Sequence, residues 1–211
     1  MIFADRSDAG RRLASHLDVE GPAVVLAIPR GGAIVGDEIA RALHAPLDVV
    51  VPRKIGAPGN PELGIGAIAP GVRVLDPRMV LGLGVSPEYL EAEVTRQEAE
   101  IARRELAYRG GRPPVEVEGR IAIVVDDGVA TGGTAVAAIR WARAAGASRV
   151  VLAVPVAPPQ SLARLRAEAD DVIVLATPEP FFAVGEWYRD FDQTSDEEVV
   201  AALARSAGSR A

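Results

Sequence analysis

Cysteine is absent from the 211-residue sequence, histidine occurs twice and lysine once. The absence of cysteine excludes a disulfide framework, a thiolate metal site and a cysteine nucleophile. With two histidines, His16 and His44, a histidine-rich metal site is not expected either. The longest run without a charged residue, 150–163, contains 14 residues and three prolines, whereas a membrane-spanning helix needs about 20 apolar residues. The N-terminal residues do not resemble a secretory signal, so we expect a cytoplasmic protein without a membrane partner.

The charge and the composition favour a globular protein for which nucleic acid is an unfavourable partner. The formal net charge is −6, and an acidic surface repels phosphate backbones. Hydrophobic residues make up 49% of the chain and charged residues 25%, which is typical of one folded domain with an added segment. Lys54 is the single lysine beside 22 arginines, so its position is of interest.

Short apolar runs alternate with helical segments through most of the chain. We predict strands at 23–28, 47–51, 120–125, 149–155 and 171–176, and helices at 33–43, 134–145 and 160–169. Strands that are apolar on both faces and separated by helices indicate a parallel sheet. The predicted fold class is therefore α/β, with a central parallel sheet of about five strands flanked by helices. Ligands bind such sheets at the carboxyl ends of the strands.

Residues 64–117 interrupt this alternation and form a predicted insertion in a core of residues 1–177. The insertion begins with a hairpin at 65–75 and continues as a long helix, with Ser86 as its N-cap and Gly110 after its end. The apolar stripe of this helix is narrow and consists of Leu90, Val94, Ile101 and Tyr108. We favour a solvated helix packed along one edge of the core, and the alternative is a dimer contact.

The tail, residues 178–211, differs from the core and is predicted to be a small C-terminal subdomain. It contains five of the nine aromatic residues of the chain within eleven positions, namely Phe181, Phe182, Trp187, Tyr188 and Phe191. Thr194 or Ser195 is expected to cap a last helix that runs to about Ala204.

The most informative segment follows the third predicted strand. Asp126 and Asp127 come directly after the strand, and three glycines and two threonines lead from them into a helix. Glycines let backbone amides point at an anion, and the positive end of the helix dipole favours the same charge. The two carboxylates would repel that anion, so they are expected to hold hydroxyl groups or a bridging cation. A sugar phosphate fits both features, with its phosphate at the amides and its hydroxyl groups at the carboxylates. The alternative interpretation is a plain turn in which an aspartate caps the helix.

This segment resembles the ribose-phosphate loop of the type I phosphoribosyltransferases. The resemblance implies phosphoribosyl pyrophosphate as donor and Mg²⁺ as cofactor, with Asp126 and Asp127 as catalytic acids that hold ribose hydroxyls or Mg²⁺, directly or through water. It further implies that the 5′-phosphate binds at Gly128, Val129, Ala130, Thr131, Gly132, Gly133 and Thr134. The resemblance covers residues 20–63 and 118–177 and leaves the insertion and the tail unexplained.

Two more segments match the family. Pro29, Arg30, Gly31 and Gly32 follow the first strand, where the family has its pyrophosphate loop, and the resemblance predicts a non-proline cis peptide near Arg30. The alternative is an ordinary βα turn. After the second strand the family has a mobile loop, so Arg53 and Lys54 are expected at the base of such a loop, neutralising the departing pyrophosphate. The residues that follow, 55–62, look too polar for the core, and the alternative is a pair of surface cations.

In this family the acceptor lies under a C-terminal hood, which here corresponds to the tail. The aromatic residues of the tail are expected either to stack on a planar acceptor or to form the core of the hood, and they are Phe181, Phe182, Trp187 and Tyr188. The 6-oxopurine enzymes use a hood lysine, and this chain has no lysine after Lys54. A hypoxanthine or guanine enzyme is therefore not favoured, unless Arg189 substitutes.

The resemblance implies a transferase of nucleotide metabolism. It would move the ribose 5-phosphate group of phosphoribosyl pyrophosphate to a small-molecule nitrogen acceptor, a base, and release pyrophosphate. The alternatives are a non-catalytic regulator that binds the donor and a diphosphate-binding partner subunit. A homodimer is expected from the family alone.

Overall fold

The computed structural model describes residues 2–208, so Met1 and the last three residues of the predicted hood lie outside the described residues. The helices are α1 (Arg6–Ala14), α2 (Gly31–Leu43), α3 (Pro77–Gly82), α4 (Pro87–Arg109), α5 (Gly133–Ala144), α6 (Pro159–Glu168) and α7 (Asp196–Gly208). The strands are β1 (Ala23–Ala27), β2 (Leu47–Val49), β3 (Arg53–Ala57), β4 (Asn60–Ala69), β5 (Val72–Leu75), β6 (Ile121–Val125), β7 (Arg149–Val156) and β8 (Asp171–Ala176). A 3₁₀ turn occupies Val184–Trp187.

The core is a five-stranded parallel sheet in the order β2-β1-β6-β7-β8. It confirms the predicted α/β class and the five predicted strands, with ends that move by one or two residues. Strands β1 and β6 are neighbours and end in register, with Ala27 opposite Val125. The segments after these two strands, which carry the two main motifs, therefore leave the sheet side by side.

Two buried clusters cover the two faces of this sheet. In β1, Val25 and Ala27 belong to one cluster, and Val24 and Leu26 belong to the other, as expected for a strand whose side chains alternate between faces. The first cluster includes residues of α1, α2, α4 and α7, and the second includes residues of α5 and α6. No helix within residues 2–208 combines the length and the apolar character needed to cross a bilayer.

A second, antiparallel sheet in the order β3-β4-β5 corrects the expected loop after β2. Residues 53–57 form a strand, and Ile55 is fully buried in the main core. The pairing of β3 and β4 is irregular around Gly56, where a side chain would approach Pro61 O to 2.6 Å. The glycines and prolines that indicated a loop therefore serve a bulged hairpin, which begins well before residue 64.

Helix α4 confirms the predicted long helix and its capping. The Ser86 hydroxyl accepts a hydrogen bond from the amide of Tyr89 at 3.2 Å, and Gly110 ends the helix with a positive φ of 57°. The predicted stripe faces the core of the same chain, since Val94, Ile101 and Tyr108 are buried there. The packed-helix interpretation is therefore correct, and the stripe does not provide a face for a second copy.

The C-terminal helix α7 begins one residue after Ser195 and is longer than predicted. The Ser195 hydroxyl accepts a hydrogen bond from the amide of Glu198, and the Glu198 carboxylate accepts one from the amide of Ser195. This reciprocal pair is a capping box. The buried Val199 and Leu203 pack α7 on the core, and the helix continues past Ala204 to Gly208.

Candidate active site

The two carboxylates lie at the carboxyl end of β6, where both are half-buried. Asp126 Oδ1 accepts a hydrogen bond from the amide of Asp127 at 2.8 Å. Burial raises the pKa of Asp126 well above its ordinary value, and the neighbouring Asp127 carboxylate raises this pKa further. Two acids held this close at a sheet edge are suited to bind hydroxyl groups or a cation.

The segment after β1 lies directly against this acid pair. The Pro29–Arg30 peptide bond is cis, which confirms the predicted cis peptide. A side chain at Gly31 would overlap the Asp127 carboxylate, and one at Gly32 would approach Val125 O to 2.7 Å. Only glycine allows the backbone to come this close. The structure therefore brings the predicted pyrophosphate loop and the acid pair into one site.

Arg30 itself points toward the C-terminal helix. Its guanidinium lies 3.8 Å from a carboxylate oxygen of Asp196, and Tyr108 donates a hydrogen bond to the same oxygen at 2.8 Å. The ion pair is partly exposed, so it contributes little to stability. The Arg30 side chain is therefore available to a ligand at modest cost.

Residues 128–132 form the loop into α5, and Gly133 and Thr134 are the first two residues of that helix. Gly132 has a positive φ of 81°, and α5 begins at the next residue. Within residues 2–208, the structure provides no acceptor for the amides of Thr131, Gly132, Gly133 and Thr134. Four such amides at a helix N-terminus are suited to bind an anion.

Not every residue of the predicted phosphate loop contributes an amide. The amide of Val129 donates to Val156 O at 2.9 Å, and the Val129 side chain is buried in the core. Gly128 is required for another reason, because a side chain there would approach Val184 of the hood to 2.5 Å. Val129 and Gly128 therefore anchor the loop, and the amides of residues 131–134 are the ones left without an acceptor within residues 2–208.

A cavity of about 390 Å³ lies between this loop and the β3–β4 hairpin. Thr131, Gly133 and Thr134 line it together with two cationic side chains, Lys54 and Arg164, and two carboxylates, Glu62 and Asp76. Neither cation forms an ion pair within residues 2–208. The sequence singled out Lys54 but not Arg164, which is one arginine among 22 and belongs to no motif.

The structure separates Arg53 from Lys54. Consecutive residues of a strand point to opposite faces, and the Arg53 guanidinium donates to Gln97 Oε1 of α4 at 2.8 Å. Gln97 in turn donates to Glu93 Oε1 at 2.8 Å. Burial lowers the pKa of Arg53, and the nearby Arg104 lowers this pKa further. The expected Arg53–Lys54 pair is thus corrected: Lys54 lines the cavity, and Arg53 joins a polar network on α4.

The aromatic residues of the hood have different environments. Tyr188 is 6% exposed, its ring lies 5.4 Å from that of Phe3 and 4.9 Å from that of Phe191, and burial raises the pKa of its hydroxyl. Tyr188 also donates a hydrogen bond to Asp127 O at 2.6 Å. Of the two expected roles, Tyr188 therefore has the second, because its ring belongs to the core of the hood. Phe181 and Trp187 are half-buried, whereas Phe182 is 79% exposed.

Arg6, at the start of α1, is a site residue that the sequence analysis missed. Its Nε donates to Asp127 Oδ2 at 2.8 Å, and its Nη1 donates to Asp192 O at 2.7 Å. The guanidinium carbon lies 3.9 Å from the centre of the Phe191 ring. Arg6 and Asp127 are 121 positions apart, so no local pattern could have indicated this contact.

Comparison with known proteins places these features in a family. The family model described as "Phosphoribosyl transferase domain" matches residues 4–189. A Mycobacterium tuberculosis protein named "Putative phosphoribosyl transferase Rv0571c" is 52% identical over 208 residues, which are 97% of this chain and 47% of that protein. The chain therefore spans about half the length of this relative.

Two solved structures resemble the fold. The crystal structure of TT1426 from Thermus thermophilus is 45% identical, has a TM-score of 0.82, and the match covers 97% of this chain and 99% of that one. The purine phosphoribosyltransferase from Pyrococcus horikoshii is 15% identical with a TM-score of 0.50, and the match covers 90% of this chain and 93% of that one. The second likeness concerns the fold alone.

Proposed function

The chain belongs to the type I phosphoribosyltransferase family, and from that premise we propose that it transfers the ribose 5-phosphate group of phosphoribosyl pyrophosphate to a nitrogenous acceptor and releases pyrophosphate. One observation carries this proposal. The acid pair lies between a loop of free amides at a helix N-terminus and a glycine loop in contact with Asp127. This arrangement suits a sugar that carries a phosphate at one end and a diphosphate at the other.

In the proposed reaction a nitrogen lone pair of the acceptor attacks the anomeric carbon of the ribose. The bond from that carbon to the diphosphate oxygen breaks, and its electrons leave with pyrophosphate. The sugar gains positive charge in the transition state, and the leaving group gains negative charge. No covalent nucleophile is required, so catalysis consists of positioning and electrostatic stabilisation.

In this reaction, positively charged groups and amides would bind the phosphates, and the carboxylates would bind the sugar. The amides of residues 131–134, with Lys54 and Arg164 beside them, would hold the 5′-phosphate. Gly31 and Gly32 would bring backbone amides to the pyrophosphate, and Arg30 would add a permanent positive charge. Asp126 and Asp127 would accept hydrogen bonds from the ribose hydroxyls and so fix the anomeric carbon relative to the acceptor.

Magnesium fits this donor set as a metal carried largely by the substrate. Within residues 2–208 no group of three or more histidine, aspartate or glutamate side chains forms a metal cage. Mg²⁺ commonly binds through one or two carboxylates, substrate phosphates and water. Asp126 and Asp127 provide two adjacent carboxylates, so they would hold Mg²⁺ directly or through water. When bound, the metal would neutralise charge on the pyrophosphate.

The acceptor is proposed to bind at the hood. Phe182 is the aromatic side chain of the hood with a largely exposed ring, so it is the one free to stack on a planar acceptor. Tyr188 would not touch the acceptor, because its ring is buried and its hydroxyl holds Asp127 O. A nitrogen heterocycle is the class of acceptor that this surface favours.

Donor turnover tests the proposal. Purified protein is incubated with Mg²⁺, labelled phosphoribosyl pyrophosphate and a panel of purine and pyrimidine bases, and pyrophosphate release is measured. We expect turnover with at least one base and its loss in Asp127→Asn. The control is Asp171→Asn, which removes an exposed carboxylate at the opposite end of the sheet and should leave turnover unchanged.

Two other outcomes would count against the proposal. Tight binding of the donor without turnover of any base would favour the non-catalytic regulator. An absence of donor binding in calorimetry, with Mg²⁺ present, would exclude the donor and with it the proposed reaction.

A further inference from the structure

We propose that Arg6 is a positioning residue that holds Asp127 for the ribose hydroxyls and fastens the hood to the acid pair. This inference rests on the proposed function, and it assigns a role to a residue outside the motifs of the core. Arg6 belongs to α1, which precedes the sheet, yet its side chain reaches the centre of the site.

The first argument is geometric. Arg6 donates to Asp127 Oδ2, and this same oxygen is the one that a side chain at Gly31 would overlap. The guanidinium therefore fixes the carboxylate on the side of the pyrophosphate loop. A planar guanidinium can engage two acceptors with a fixed relative geometry, and here the second acceptor is Asp192 O in the hood.

The second argument is electrostatic. Asp126 and Asp127 are adjacent carboxylates, and within residues 2–208 Arg6 is the cation that lies within ion-pair distance of either. The side chains of Arg6 and Asp127 are 12% and 16% exposed, so solvent screens this contact only weakly. Arg6 offsets the repulsion of the two acids and keeps Asp127 in one orientation.

The third argument concerns the support of Arg6 itself. Its guanidinium lies over the Phe191 ring at 3.9 Å, and Phe191 packs against Tyr188, which donates to Asp127 O. Asp127 is thus held at its carboxylate through Arg6 and at its carbonyl through Tyr188. Arg6 also bonds to Asp192 O of the hood, and Tyr188 is itself a hood residue. Asp127 is therefore the residue through which the acid pair and the hood are connected.

Helix α1 also provides a matched control residue. Arg12 lies on the same helix, pairs with Asp8 at the surface and has its guanidinium 5.6 Å from the centre of the Phe3 ring. The Arg12→Ala substitution therefore removes an arginine with an aromatic neighbour and a carboxylate partner, but without a contact to the site.

The experiment combines donor affinity with a double-mutant cycle. Calorimetry with phosphoribosyl pyrophosphate and Mg²⁺ should show Kd raised about tenfold or more in Arg6→Ala, because a charge-assisted hydrogen bond in the site is lost. Arg12→Ala should change Kd less than about twofold, as is usual for exposed pairs. In an Asp127→Asn background the Arg6→Ala change should have little further effect, because residues that act through one another are not additive.

A purely structural role predicts a different pattern. Arg6→Ala would then lower the melting temperature and weaken donor binding equally in the wild-type and Asp127→Asn backgrounds. Additive effects of this kind, or an unchanged Kd in Arg6→Ala, would overturn the proposal. Arg6→Lys should recover part of the affinity, because it restores the charge without the two-acceptor geometry.

A ligand-free measurement separates this proposal from the proposed function. If the wild-type protein binds no donor, the proposed function fails, and hydrogen exchange then tests Arg6 alone. Faster exchange of the hood segment 188–192 in Arg6→Ala, but not in Arg12→Ala, would retain the fastening role. Unchanged exchange in both variants would exclude it.

Discussion

The two halves of the proposed donor site differ in how their polar groups are engaged. Within residues 2–208, the phosphate half consists of four amides without protein acceptors and two cations without ion pairs, beside a cavity that Glu62 and Asp76 also line. In the acid half, Asp127 is engaged at its amide, its carbonyl and its carboxylate. The polar groups of the phosphate half are thus available to an anion, whereas the acid half is held by contacts from distant segments. Substitutions in the acid half should therefore disturb geometry, and those in the phosphate half should change only affinity.

The largest expected effect comes from a methyl group placed between the acid pair and the pyrophosphate loop. Gly31→Ala would overlap the Asp127 carboxylate and lie 2.7 Å from Arg6 Nε, so we expect donor turnover to fall by about 10²-fold or more, as for small misplacements of catalytic groups. The matched control is Gly82→Ala, where the added atom has open space. Pyrophosphate release measures both variants, and equal rates would show that the acid half tolerates displacement.

Charge removal in the phosphate half should have a smaller effect and leave the fold unchanged. Lys54→Ala and Arg164→Ala should each raise the donor KM by about tenfold at low salt, with a smaller difference as ionic strength increases. Arg166→Ala is the control, because Arg166 lies on the same helix but does not line the cavity. Steady-state kinetics across a salt series, with melting temperatures, would check this. A lowered melting temperature in Lys54→Ala would contradict the separation of the two halves.

The smallest expected effect lies at the rim of the hood. Phe182→Ala should raise the acceptor KM by about two- to tenfold through lost stacking and should not affect the donor KM. Leu106→Ala, another change at an exposed apolar residue, serves as the control. A donor KM that rises together with the acceptor KM would contradict a role limited to the acceptor.

Features formed by neighbouring residues could be predicted from the sequence, whereas contacts between residues far apart in the chain could not. The loops after β1 and β6 are contiguous segments with recognisable chemistry, so their positions and the sheet could be predicted from the residues, whereas the cis peptide is expected from the family resemblance alone. The ends of α4 could be predicted from Ser86 and Gly110 for the same reason. Arg6 reaches Asp127 through tertiary folding alone, so no sequence pattern marks it.

The error at residues 53–62 has a physical cause as well. Glycine and proline usually indicate a loop, yet here Gly56 allows the close approach of Pro61 that closes the hairpin. Residues 53–57 form a strand and not a loop because Ile55 is buried. That burial depends on core residues of β4 and α4, which the local sequence does not reveal. Arg53 was misplaced by the same error, because strand geometry sends it to α4.

Lys54 is covalently joined to Ile55, and this adjacency couples a surface charge to the interior. The buried side chains of Ile55, Ile65 and Ile68 fix the hairpin in the main core. The backbone of Lys54 therefore belongs to a packed strand and not to a mobile loop. A change that loosens the packing of these isoleucines would therefore also displace the ammonium group. Conversely, a phosphate ligand bound in the cavity would shift the unfolding equilibrium toward the native state by mass action. Ligand binding at Lys54 and the packing of the three isoleucines would therefore stabilise the same hairpin.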